Sequence, residues 1–146
     1  MRPTRGRETG SVLMLVPAAV LVLLVLGAVC VDSAIVFLAQ RDLADRTAAA
    51  ANDIAGFAVA DAAFYDRAGA VALDDDRADA YVRLVFAADR VPGGFASWSA
   101  DADASGDEVT VVAEASVRSV FARAVPGGAD ATTVRARSVA TARTDG

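Results

Sequence analysis

The chain has 146 residues, 35 of them alanine, and its 14 basic residues, all arginine, face 19 acids for a net charge of −5. That length holds one small domain beside any membrane segment, and the acidic balance argues against the basic face of a nucleic-acid binder. With no histidine, no lysine and one cysteine, Cys30, the chain lacks Ser-His-Asp and Cys-His nucleophiles, Schiff-base lysines, most zinc sites and any intramolecular disulfide.

Residues 1–10 form a basic N-terminus with Arg2, Arg5 and Arg7 against Glu8. No charge then occurs until Asp32. At about 1.5 Å per residue, 11–31 spans roughly 30 Å, the thickness of a bilayer's hydrocarbon core. The run exceeds the 7–15 apolar residues of a secretory signal, and its end, "GAVCVDSA", is a poor small-x-small cleavage site. A retained transmembrane helix is therefore expected. Pro17 sits early in it, where a freed carbonyl finds other partners. Arginines on one flank and Asp32 on the other predict a cytoplasmic N-terminus and an extracytoplasmic 32–146. Val29 before Cys30 does not suit lipoprotein processing, so Cys30 reads as a small apolar residue facing lipid or a neighbouring helix. Gly27, Ala28 and Cys30 offer small surfaces for close helix packing, with Asp32 at the outer boundary.

Alanine-rich sequence without proline predicts that the helix continues through 32–72. Val36, Leu43, Ala50, Phe57, Phe64 and Val71 recur every seven residues, with Ile54 and Ala68 beside them, as a core-facing stripe. Asp42 and Arg46 are ordered for an i,i+4 pair, and Gly56 and Gly69 are the expected weak points, with fraying or bending near Gly69.

Residues 73–146 predict a small α+β domain. Asp74–Asp76 read as a helix N-cap rather than a metal site. Tyr81, Leu84, Val85 and Ala88 mark the expected buried face of the helix they open, which closes at Pro92-Gly93-Gly94. Two strands follow, joined around Ser105-Gly106-Asp107, with Val109, Val111, Ala113, Ala115 and Val117 on the buried face. Val117, Val120, Phe121, Ala124 and Val125 fit a short helix ending at Pro126-Gly127-Gly128. A last strand places Val134, Ala136, Ser138, Ala140 and Ala142 inward and Arg135, Arg137 and Arg143 outward, opposite Glu108 or Glu114. Asp101 and Asp103 read as solvated strand-edge residues, and no phosphate or dinucleotide fingerprint is present. No enzyme, cofactor or metal is expected.

One family comes into view in the N-terminal third. Arg5-Gly6, Gly10, Pro17, Val31-Asp32, Gln40-Arg41 and an alanine-rich helix with Asn52 resemble TadE/TadG-like proteins of the tight-adherence (Flp) pilus system. The likeness covers about 50 residues. That family is similar to pseudopilins, and the resemblance implies a structural part in pilus assembly, with the anchor among other pilus or secretion-system membrane subunits, or copies of itself. Prepilin-type processing would fall between Gly10 and Ser11 and place Leu15 where such proteins carry glutamate, so an uncut, TadG-like anchor fits better. Two other readings remain open: a secreted ligand-binding domain with a mature N-terminus near residues 31–35, and an anchored accessory subunit of another envelope complex. The expected fold is a transmembrane helix prolonged into a long helix that packs on a small antiparallel sheet, as in pilins.

Overall fold

The computed structural model describes residues 9–64, 73–88, 94–124 and 127–142, with the side chains of the first segment described from 15 to 61. It is the expected α+β arrangement. Helix α1 (Thr9–Phe64) runs unbroken for 56 residues, through Pro17 and across the Val31-Asp32 boundary. Helix α2 (Asp75–Ala88) follows, then β1 (Phe95–Ser105), β2 (Glu108–Arg118), a 3-10 turn at Ala122–Ala124, and β3 (Ala131–Thr141). The strands form one antiparallel sheet in the order β1-β2-β3.

Both helices lie on one face of this sheet, α1 over β2 and β3 and α2 over β1. Eleven-residue strands extend about 36 Å, the same length as the roughly 24 helical steps from Ile35 to Val59 that pack on them. The C-terminal half of α1 is thus the part that packs on the sheet. On β2 the residues alternate as expected: Val109, Val111, Ala113, Ala115 and Val117 are buried. On β3, Val134, Ala136 and Ala140 are buried, as is Ala142 just beyond it, while Ser138 is half-buried. The opposite sheet face is polar, and there Arg135 donates to Glu114, its partner across the β2–β3 ladder. The β1–β2 hairpin turns at Gly106-Asp107, with Gly106 at φ 66°, a conformation glycine adopts without steric cost.

Three expectations about side-chain placement are corrected. Phe57 is exposed and meets Tyr81 edge-on, while Leu43, Ala50, Ala51, Ile54 and Ala55 form the buried face. A seven-residue repeat drifts about 20° per heptad on a straight helix, so Phe57 has rotated off the face that Leu43 starts. On α2 the buried row is Ala78, Val82 and Phe86; Leu84 and Ala88 are exposed, and Tyr81 and Val85 flank the interface. Phe86 meets Trp98 in a tilted ring contact, centroids 4.7 Å apart, and the acidic row of α2 is drawn to β1, which together set the rotation. Finally, the segment after β2 is no helix but the single 3-10 turn: β2 carries Val117 into the core and ends at Arg118. Phe64 has no described side chain, and Ala68, Gly69, Val71, Pro92, Gly93, Val125, Pro126 and Arg143 lie outside the described residues.

Local polar contacts are satisfied. Asp74 caps α2 by accepting from the Arg77 N–H at 3.2 Å, and the Asp42–Arg46 pair forms at 3.1 Å with Arg46 also 5.3 Å over the Trp98 ring. Thr47, fully buried, donates to the Leu43 carbonyl at 2.6 Å. Strand β1 is an edge, and α2 blunts it: Asp75 accepts from the Ala104 N–H at 2.8 Å, Asp79 from the Ala102 N–H at 3.3 Å. Arg83 completes the row, bonding Asp79 and Asp101, each at 2.8 Å. Such covering satisfies two of the edge donors through which exposed strands aggregate.

Candidate functional site

Residues that the sequence marks for the anchor fall into two groups. Leu15 to Val31 is an exposed apolar cylinder: Leu23 and Leu24 are 68% and 69% exposed, and α1 is long and apolar enough to cross a membrane. Pro17, Gly27 and Cys30 are exposed and Ala28 is half-buried; Gly27 has nothing within 4 Å of where a Cβ would stand. Gly10 and Ser11 lie inside α1 near its described start. Within the chain these small residues are therefore not brought together with any described partner helix. Asp32 is different.

Its carboxylate accepts four hydrogen bonds from three consecutive backbone N–H groups of the loop after β2. Val120 donates at 2.8 Å, Ala122 at 2.7 Å, and Phe121 to both oxygens at 3.2 and 3.1 Å. The geometry is that of an anion nest, with the carboxylate filling it. Desolvation alone would push the Asp32 carboxyl up, but the Val120, Ala122 and Phe121 donors and the nearby Arg123 charge outweigh it and hold the pKa below the ordinary 3.8. The resulting stabilisation is complete above the unfolded-state value and is lost as pH falls through the lower folded one. At neutral pH the latch is closed. It ties the end of β2 to the point where the apolar run of α1 stops, and so fixes the sheet against that end of the run.

In Asp32→Ala, amide exchange at Val120, Phe121 and Ala122 should quicken selectively at pH 7, with the β2–β3 ladder unchanged. Unaltered exchange at those three amides would show that the latch does not form in solution. The sequence placed Asp32 at the boundary but gave it no partner, because the contact joins residues 88 to 90 apart.

A second feature is a groove of about 530 Å³ between the helices, lined by Ile54, Phe57, Leu73, Asp74, Arg77 and Tyr81 among others. Two of its polar groups have internal uses. Asp74 caps α2, and Tyr81, whose pKa is raised by burial and by the adjacent Asp53 charge, hydrogen-bonds Asp53. Asp101 and Asp103 stand on the exposed side of β1, Asp101 bound by Arg83. Among the described residues, no group of three or more acidic or thiol side chains converges as metal ligands do. In comparisons with protein-family models, curated proteins and solved structures, nothing matches this chain.

Proposed function

We propose that this protein is a single-pass, membrane-anchored structural component of a tight-adherence (Flp) pilus or a related secretion assembly. One observation supports the reading above others: a single 56-residue helix is divided between an exposed apolar half and a half that packs along the full sheet. A rigid rod of this kind transmits position from bilayer to domain, which suits a subunit placed among other subunits' helices. The N-terminal third resembles TadE/TadG-like proteins, and the α-then-β order is that of pilin-like chains. In this reading the lipid bilayer and other pilus or secretion-system membrane subunits, or further copies of this chain, are the partners, and no catalysis is assigned.

A released, secreted domain is disfavoured by the Asp32 latch. Cleavage near residues 31–35 would cut α1 where its side chain is bonded to the 120–122 loop. In the native host, a strain lacking the protein should lose surface filaments while still producing the filament subunit. Normal filaments in that strain would remove the pilus reading. The orientation has its own test. With Arg2, Arg5 and Arg7 ahead of the span, a reporter active only outside the membrane and fused after Gly146 should be active. A silent but stably produced fusion would reverse the topology.

A further inference from the structure

We infer that the loop from Val120 to Ala124 is a second membrane contact, seated in the headgroup layer beside the point where α1 leaves the bilayer. This inference rests on the reading of α1 as a bilayer anchor. Its occupant is a lipid surface.

The argument starts from position. Asp32 closes a stretch of α1 in which no charge has occurred since Glu8, and its carboxylate is bonded directly to the backbone of Val120, Phe121 and Ala122. The loop is therefore held at the outer end of the apolar run, whatever the tilt of α1. At that level Val120 and Phe121, adjacent in the chain, are 45% and 44% exposed. Phe37 and Leu38, also exposed, stand roughly 8 Å further along the helix axis. The exposed apolar surface thus does not stop at Val31 but continues onto the underside of the domain, across a depth comparable to the headgroup layer.

Backbone chemistry fits the same place. A loop entering a poorly hydrated layer is penalised for each unsatisfied N–H, and here three consecutive donors are already taken by Asp32. The arrangement works in both directions, because the carboxylate that lies closest to the hydrocarbon is itself bonded to those donors. Arg118 and Arg123, both exposed, flank Val120 and Phe121 and have the reach to meet lipid phosphates while their stems lie along apolar surface. A purely solvent-facing turn would have no use for this combination of exposed apolar tips, consumed amides and flanking arginines.

The test uses the full chain in phosphatidylglycerol/phosphatidylcholine vesicles, labelled with an environment-sensitive fluorophore on single cysteines in a Cys30→Ala background. Labels at Phe121→Cys and, should that variant misfold, at Val120→Cys should emit blue-shifted relative to Ser105→Cys at the far hairpin. They should also be quenched by lipid carrying a shallow nitroxide. A label at Leu23→Cys, quenched by a mid-chain nitroxide, reports the anchor separately. Quenching at 23 with none at 120 or 121 overturns the loop contact and leaves the anchor standing. Absence of quenching at 23 removes both. Shielding of the 121 label from aqueous quencher in native membranes, but not in lipid vesicles, would assign the surface to a protein and also overturn the proposal.

Discussion

Val111→Asp should abolish the fold of the sheet domain, while Val112→Asp, one residue on, should leave it intact. Val111 is fully buried on the middle strand, with Ala102 and Ser138 opposite it in the two ladders and α1 packed over that face. An aspartate there places a carboxylate among alanines and valines, and an uncompensated buried charge costs on the order of 3–5 kcal/mol. That is a large share of the roughly 5–15 kcal/mol that holds a domain together. Val112 is half-exposed on the polar sheet face, where its ladder partners are Asp101 and Arg137. Like charge from Asp101 and opposite charge from Arg137 nearly offset one another at this wet surface, so the net effect should be small. Limited proteolysis of the two variants in detergent reads the difference. Equal sensitivity would mean that the register of β2 is wrong.

The contrast between these two neighbours was legible in the sequence because period-two alternation has no competing explanation on a half-buried strand. Val109 to Val117 follow it without exception. Helical faces were harder to place. The heptad stripe identified Leu43, Ala50 and Ile54, but a straight helix does not keep a seven-residue repeat on one side, and Phe57 left the core as a result. On α2 the rotation is decided by contacts that lie outside it: Asp75 and Asp79 reach the open edge of β1, and Phe86 finds Trp98. Three consecutive aspartates looked like a cap, yet only Asp74 caps the helix. Asp75 instead serves the sheet. The latch was invisible for the same reason in stronger form. Nothing near Asp32 in the sequence announces that its partners are backbone amides of a turn formed by the other end of the chain. Local pattern encodes periodicity; it does not encode which donors a carboxylate meets after folding.

Replacing Gly27 by leucine should leave insertion and folding unaffected and weaken association between anchors. Between helices in lipid the hydrophobic effect supplies little drive, so association depends on how closely backbones approach and on polar groups finding partners. Gly27 and Ala28 provide the low surface, whereas Leu21 to Leu26 present bulky, exposed side chains suited to lipid. Within one chain a Cβ at Gly27 would meet nothing within 4 Å, so leucine fits without strain. Leucine also favours the helix by roughly 0.5–1 kcal/mol over glycine. Any loss in this variant is therefore intermolecular. Cys30 stands three residues on, on the same side of α1 as Gly27, and is an exposed free thiol. In membranes of the native host, mild oxidation should cross-link Cys30 to a second copy or to a partner subunit's thiol, and Gly27→Leu should diminish that product while protease-resistant sheet domain is retained. Val25→Ala, two residues from Gly27 and so on the far side of α1, should leave it unchanged. A wild-type chain that stays wholly monomeric on oxidation, together with unchanged surface filaments in the Gly27→Leu strain, would reduce the span to a tether, with assembly left to the domain outside the membrane.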